Sequence, residues 1–179
     1  METQTLTNLK VNTLKSTLNW TGNKVIGKHF GNIALKSAIL TLEGNAIKSG
    51  AFEIDMNSLT SADLEDKTYN EMLVGHLKSA DFFNTVEFPT ASFNIGSVVT
   101  KTDTKVNIKG ILIIKGISNE IEFSALIENN EETFVASAKI IVDRTKFDIK
   151  YGSGNFFSNL GDKMIKDEFE IDLVLIANK

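Results

Sequence analysis

The stretch VNIKGILIIKGISNEIEFSALIENN, residues 106–130, decides the fold class. Its apolar residues alternate with polar ones in two runs, separated by a turn region at Gly116. The apolar residues of the two runs are Val106, Ile108, Gly110, Leu112 and Ile114, then Ile121, Phe123, Ala125 and Ile127. A period of two places alternate side chains on opposite faces of a strand. The stretch therefore predicts two antiparallel strands that each bury one face.

The same alternation extends over most of the chain and predicts eight or nine strands. It is clear in residues 52–56, 93–95, 134–142 and 169–175. Strands with one apolar face need a closed or doubled sheet to bury that face. Closure also removes exposed sheet edges. We therefore predict an all-β antiparallel barrel, with a β-sandwich as the structural alternative.

Two stretches depart from simple alternation. The phase of the apolar residues shifts between Leu35 and Leu40, and one extra residue near Ser37 and Ala38 restores it, which predicts a β-bulge. From residue 67 to 83, apolar residues recur at spacings of three, four and one, which favours a helix. This helix follows the strand near residues 50–57.

Composition limits the class of protein. The chain has 179 residues, 42% of them hydrophobic, which fits one soluble domain over residues 1–179. A net charge of −4 with scattered lysines argues against nucleic acid as a partner. The N-terminal METQTLTNLK lacks the pattern of a signal peptide. We expect a cytoplasmic protein, or a periplasmic one if a leader has been removed.

Residues suited to catalysis are few. There is no cysteine, and the two histidines, His29 and His76, lack metal-ligand spacing. We expect His29 to make a hydrogen bond at a barrel rim and His76 to lie at the surface or to cap the helix. The glycines of YGSGN, residues 151–155, are typical of a turn, with an anion cradle as the alternative. No catalytic residue, metal or cofactor is predicted.

Arg144 is the only arginine, against 18 lysines. A chain that otherwise uses lysine places arginine where the planar fork matters. Its sequence parity matches the apolar row of residues 134–142, so its side chain should point inward or lie at the rim. We expect an ion pair that locks the barrel, with Asp143, Asp148 or Asp162 as partner. A contact to an acidic or phosphate head group is the alternative.

Four blocks of sequence resemble the YceI-like family of lipocalin-like polyisoprenoid-binding barrels. They are STLNWTGNKVIGKHFG (16–31), GAFEIDMNSLTSADL (50–64), LVGHLKSADFFNTVEFPTASF (73–93), and VNIKGILIIKGISNEIEF with IIVDRTKFDIKYGSG (within 106–154). The resemblance implies an eight-stranded antiparallel barrel with a long apolar tunnel. The implied ligand is an isoprenoid lipid, such as a polyprenyl phosphate or a quinone tail.

These considerations lead to three hypotheses. The first is a non-enzymatic carrier or buffer of such a lipid, in transient contact with membranes and compatible with a homodimer. The second is an enzyme acting on the lipid, which a histidine beside a carboxylate at the lipid head would favour. The third is a structural or partner-binding barrel filled by its own side chains. The residues predicted to line the cavity are Trp20, Phe52, Ile54, Met56, Leu73, Leu77, Phe82, Phe83, Phe93, Ile108, Leu112, Phe123, Ile140 and Arg144, with Phe156 and Phe157 at its mouth.

Overall fold

Residues 3–179, which the computed structural model describes, form nine β-strands and one α-helix. Short 3₁₀ turns lie at Met56–Ser58, Arg144–Phe147 and Gly161–Lys163. None of the helices in this range is long and apolar enough to span a membrane. The elements are β1 (Leu6–Lys10), β2 (Thr17–Lys24), β3 (Lys28–Glu43), β4 (Ala46–Asp55), α1 (Lys67–Lys78), β5 (Thr90–Thr100), β6 (Lys105–Ile114), β7 (Ile117–Asn129), β8 (Thr133–Asp143) and β9 (Ile165–Asn178).

The strands close into an antiparallel barrel. Their hydrogen-bonded order is β1-β3-β2-β9-β8-β7-β6-β5-β4, and β4 also pairs with β3. The pairing of β3 with β4 closes the eight strands β2–β9 into a ring. Strand β1 pairs with the second half of β3, and Val11 bridges to Ala177 of β9. The predicted all-β, eight-stranded antiparallel barrel with one helix is confirmed, and the sandwich alternative is wrong.

Strands β6 and β7 form the hairpin that the sequence predicts. They pair from Lys105↔Leu126 to Ile114↔Ile117 without a register shift. Lys115 and Gly116 form the two-residue turn, with φ of 53° and 71°. Positive φ at both turn residues is the type I′ pattern, whose twist matches the strands that it joins.

The predicted bulge is confirmed in β3. Its pairing with β4 shifts between Leu35 and Ser37, so Lys36 is the extra residue. The insertion switches the parity of the buried side chains, which lets Leu35 and Leu40 both face the interior.

The helix is shorter than the predicted 67–83. The Asp66 side chain accepts the Tyr69 N–H and caps the start, and the helix ends at Lys78 because Ser79 adopts extended backbone. The Ser79 hydroxyl donates to the His76 carbonyl at 2.6 Å, which satisfies an end that would otherwise be unpaired. Turns then lead to β5.

The two ends of the barrel differ. At the packed end, where β9 finishes, large side chains such as Leu40, Leu42 and Phe134 are almost completely buried. The helix end carries α1, the β2–β3 turn and the connection between β8 and β9, whose second part is the 151–164 loop. Irregular segments therefore concentrate at one end of a regular barrel.

A close approach of two backbone segments fixes the wall beside α1. Thr60 N–H donates to the Asn32 carbonyl and Ala62 N–H to the Phe30 carbonyl, both at 2.9 Å. The Trp20 indole N–H donates to the Thr60 carbonyl at 2.9 Å. A Cβ atom at position 31 would lie 1.8 Å from that Thr60 carbonyl oxygen, far inside van der Waals contact. Glycine is therefore required at position 31.

We expect Gly31→Ala to lower the free energy of unfolding by about 3 kcal/mol, because the added methyl group must displace backbone. Urea unfolding measures the change. Gly75→Ala is the matched control, since its added methyl meets no atom within 4 Å. Alanine in mid-helix should raise stability by about 0.5 kcal/mol. Equal stability of Gly31→Ala and the wild type would contradict the close approach.

Candidate ligand-binding site

The barrel encloses an elongated cavity of about 460 Å³. This volume falls in the range of about 300–1,000 Å³ that is typical of small-molecule sites. Strands β2 to β9 and α1 all contribute to its wall, because alternation sends every second side chain inward. The interior is therefore not filled by its own side chains, which disagrees with the hypothesis of a filled barrel.

The cavity is deep as well as narrow. Its lining on β8 runs from Phe134 to Val142, about 27 Å of strand at about 3.4 Å per residue. At a strand tilt of about 40° this corresponds to about 20 Å along the barrel axis. Small residues at Ala125, Ala136 and Ala138 leave this space open. One leaflet of a bilayer contributes about 15 Å of hydrocarbon, so a lipid tail can be sheltered along its length.

Most of the residues predicted from the sequence lie on this wall. The structure brings together all of the predicted residues except Phe156 and Phe157. Those lining the cavity are Trp20, Phe52, Ile54, Met56, Leu73, Leu77, Phe82, Phe83, Phe93, Ile108, Leu112, Phe123, Ile140 and Arg144. Ligand contact by these side chains stays a prediction.

The structure places Phe156 and Phe157 outside the lining. Their side chains are 50% and 52% exposed. Both of their backbone N–H groups donate to the carbonyl of the fully buried Ser153, a tight turn that directs the loop outward. Phe156 packs under Lys150, with Nζ 4.9 Å from the ring centre.

The charged side chains of the cavity lie at its helix-end mouth. Lys24, Lys163, Lys166 and Glu168 line it there, next to Tyr151. Among residues 3–179, none of these three lysines makes an ion pair. Among the charged residues that line the mouth, lysines thus outnumber carboxylates, although the chain is acidic overall. Sequence reasoning missed these lysines, because no periodicity marks lysines in or beside loops.

Arg144 is held by backbone carbonyl groups at the edge of the cavity. Its side chain is 4% exposed, and Nε, Nη1 and Nη2 donate to the carbonyls of Lys166, Ile149 and Ile165 at 3.0–3.1 Å. The guanidinium also stacks over Phe82, 5.9 Å from the ring centre. Burial lowers the pKa of Arg144, which the carboxylates of Asp167 and Asp143 oppose. The planar fork binds three carbonyls on two backbone segments, a task that a lysine could not perform.

The ion-pair partner of Arg144 is Asp167, at 4.0 Å from Nη2. The predicted partners Asp143, Asp148 and Asp162 are therefore wrong. Asp143 instead accepts from Thr145 and caps the 3₁₀ turn, while Asp148 pairs with Lys150. Asp167 lies on β9, beyond a loop whose path the sequence pattern does not specify.

Asp167 also holds the YGSGN segment in place. It accepts from the Ser153 hydroxyl at 2.5 Å and from the Asn155 side chain. The N–H groups of Ser153 and Asn155 are engaged by the Lys150 carbonyl and the Ser153 hydroxyl. Gly152 has a φ of 66°. The segment is therefore a turn, as predicted, and the N–H groups of Ser153 and Asn155 are already engaged within it.

His29 forms a partly buried pair with Asp63 at the mouth. Its Nδ1 lies 2.7 Å from Asp63 Oδ2, and Asp63 also accepts from the Phe30 N–H and the Ser61 hydroxyl. Burial alone would raise the pKa of Asp63, but these hydrogen bonds together lower it. An ionised carboxylate only accepts, so His29 Nδ1 donates to it. The other ring nitrogen, Nε2, makes no hydrogen bond within residues 3–179, and His29 is one of the residues that line the cavity.

We expect the Asp63 hydrogen bonds to weaken in acid. A carboxyl group whose pKa is lowered by folding contributes stability that is full above its unfolded pKa of about 3.9 and is lost as the pH falls through the folded value. Asp63→Asn should cost about 1–2 kcal/mol at pH 7. Urea unfolding across pH measures the difference between the two proteins. A difference that does not shrink below about pH 4 would contradict this assignment.

The sequence led us to expect His76 at the surface. In the structure it also lines the cavity, from α1. Its Nε2 lies 3.0 Å from Asp81 Oδ2. Its ring packs edge-on against Tyr151 and Phe82, with centroids 4.5 and 5.0 Å away. This contact attaches the helix to the 151–164 loop across the mouth.

Known structures share this architecture. The chain is similar to BcnA of Burkholderia cenocepacia, with 23% identity and a TM-score of 0.73 over 93% of this chain and 99% of that chain. A polyisoprenoid binding domain from Saccharophagus degradans has 12% identity and a TM-score of 0.68, covering 97% and 99%. The YCEI protein of Campylobacter jejuni has 19% identity and a TM-score of 0.58, covering 75% and 74%. At such identities the likeness establishes the fold.

Sequence comparison adds the family. A UPF0312 protein of Staphylococcus aureus (strain USA300) is 35% identical over 91 residues, which is 47% of this chain. The chain spans about half the length of the curated relatives that head this comparison. The YceI-like domain matches far more, residues 9–177. With that match and the closed barrel described above, the chain belongs to the YceI-like domain family.

Proposed function

We propose that this protein binds the apolar tail of a long isoprenoid-type lipid inside its barrel, and carries or buffers that lipid without chemical change. The observation that carries the proposal is the deep apolar cavity with charged groups only at its mouth. A tail fits the apolar walls, and a polar head fits the mouth. The similarity to a polyisoprenoid binding domain of Saccharophagus degradans agrees with this ligand class.

Energetics favour exchange over permanent capture. Burying the roughly twenty carbons of a geranylgeranyl chain would yield about 16 kcal/mol, at about 0.8 kcal/mol per methylene-sized group. A bilayer offers the same tail a similarly apolar environment, so the net free energy of transfer from membrane to barrel is close to zero. Such a balance suits a carrier or a buffer.

The mouth favours an anionic head over a neutral quinone. Three lysines without ion pairs, Lys24, Lys163 and Lys166, outnumber the one carboxylate, Glu168, among the charged lining residues of this end. A phosphate accepts charge-assisted hydrogen bonds from ammonium groups, which are about twice as strong as neutral ones. A polyprenyl phosphate therefore matches both parts of the cavity.

Trp20 provides a direct test. It is the only tryptophan in the sequence and it lines the cavity. We expect delipidated protein to show a saturable change in tryptophan fluorescence with geranylgeranyl phosphate, and binding about tenfold weaker with the uncharged geranylgeraniol. Native mass spectrometry of protein from its own host identifies the natural lipid. No copurified lipid and no saturable change with either probe would overturn the proposal.

The His29–Asp63 pair supports a second candidate function, an enzyme that acts on the lipid head. A carboxylate-oriented imidazole facing a cavity is an arrangement used for general acid–base chemistry. Incubation with geranylgeranyl phosphate, followed by mass analysis of the lipid, distinguishes the two functions. Turnover that is lost in His29→Gln would favour the enzyme. Unchanged lipid after prolonged incubation would favour the carrier.

A further inference from the structure

Exposed apolar side chains surround the mouth of the cavity. They lie on the β2–β3 turn, on α1 and on the 151–164 loop, and each is about half exposed or more. Exposed apolar clusters of this kind mark interaction sites when they are contiguous. We call this set the mouth rim: Val25, Ile26, Tyr69, Met72, Phe156 and Phe157.

The three segments of the mouth rim meet around one opening. The Val25 N–H donates to the Met164 carbonyl at 3.2 Å, which joins the β2–β3 turn to the 151–164 loop. The same loop contacts α1 through Tyr151 and His76. Both Tyr151 and Lys163, near the two ends of the loop, line the cavity.

Helix geometry places the apolar residues of α1 beside the opening. Tyr69, Met72 and His76 follow one another at spacings of three and four, so they occupy one stripe of the helix. His76 lines the cavity and packs against Tyr151. Tyr69 and Met72 therefore extend the same stripe outward from the mouth, where both are exposed.

Lysines lie among these apolar residues. Lys24 and Lys28 flank the β2–β3 turn, and Lys163 lies on the loop that the turn contacts. Within the described part of the chain, none of the three forms an ion pair. These lysines place cationic side chains without ion pairs beside the mouth of a chain whose net charge is −4.

We infer that the mouth rim is a docking surface for a lipid bilayer that contains anionic lipids. Apolar and aromatic tips enter the headgroup region while neighbouring lysines contact lipid phosphates, a combination typical of interfacial binding. Docking places the cavity mouth at the membrane, so a tail can enter without crossing water. The inference rests on the proposed function, because it assigns the membrane as the place where the lipid is exchanged.

Vesicle binding tests this surface. The double variant Ile26→Ser/Phe157→Ser removes two exposed apolar side chains of the mouth rim that do not line the cavity. The matched control is Leu14→Ser/Leu126→Ser, which removes two exposed apolar side chains near the packed end. Circular dichroism checks the fold of both variants. The probes are protein-free vesicles of phosphatidylcholine, with or without about one third phosphatidylglycerol, in low and high salt.

We expect the wild type and the control to bind the anionic vesicles, and the rim variant to bind at least tenfold more weakly. Each of the lysines Lys24, Lys28 and Lys163 should strengthen binding to the anionic vesicles roughly fivefold at low salt. Uptake of geranylgeranyl phosphate from solution should be equal in all three proteins. Vesicle binding without any lipid uptake would overturn the proposed function and leave the docking surface standing.

Three results would overturn the docking surface: no binding of the wild type to anionic vesicles, equal binding of the rim variant and the wild type, or equal loss in the control variant. Binding to native membranes but not to protein-free vesicles would assign the surface to a membrane protein instead.

Discussion

Ala138→Phe should reduce the affinity for geranylgeranyl phosphate about a hundredfold while the barrel keeps its fold. Ala138 lines the cavity and lies opposite Leu173 of β9. A phenyl group there blocks the passage toward the packed end, so the tail loses burial of about four methylene groups. At about 0.8 kcal/mol each this amounts to about 3 kcal/mol. Trp20 fluorescence titration measures the affinity.

Stability should change little, because the added ring enters space that is already present. Overpacking a filled core costs about 1–3 kcal/mol, but here the new apolar contacts offset that cost. Lys139→Phe is the matched control, since the neighbouring residue is exposed on the outer face of the same strand. It should bind lipid as the wild type does. Wild-type affinity in Ala138→Phe would contradict a tail in the inner half of the cavity.

The barrel and most of its lining could be predicted because one physical rule governs both. A strand that buries one face must alternate, so Ile108, Leu112 and Phe123 could be assigned to the interior from sequence alone. The bulge at Lys36 was predictable for the same reason, since an extra residue leaves a visible shift in parity. Helical spacing similarly identified Leu73 and Leu77.

The mouth could not be predicted in the same way, because loops obey no period. Phe156 and Phe157 were predicted at the mouth because they lie in a loop rich in glycine and asparagine. Hydrogen bonds to the Ser153 carbonyl direct them outward instead. Lys163 and Lys166 reach the cavity only because the 151–164 loop returns beside its own start. The ion pair of Arg144 with Asp167 also forms only because this loop returns. Contacts between segments distant in sequence thus decide the polar end of the site.

Arg144→Lys should lower the free energy of unfolding by at least about 3 kcal/mol. The guanidinium donates to three carbonyls on two chain segments, and hydrogen bonds to charged groups contribute about 1.5–3 kcal/mol each. A lysine ammonium has a single centre and cannot reach all three positions. The carbonyls that lose the guanidinium would then remain near the interior without a donor, and Asp167 would lose its ion-pair partner. Urea unfolding measures the loss, and Lys146→Ala on the same 3₁₀ turn is the exposed control.

Comparing Arg144→Lys with Lys163→Gln shows which positive charge at the mouth stabilises the fold and which one binds the ligand. Arg144 is buried and occupied by backbone, whereas Lys163 lines the cavity and makes no ion pair among residues 3–179. We expect Lys163→Gln to retain stability and to bind geranylgeranyl phosphate about fivefold more weakly, with geranylgeraniol unaffected. If Arg144→Lys instead kept full stability and lost phosphate affinity, Arg144 would be the head-group contact and the lysines would be peripheral.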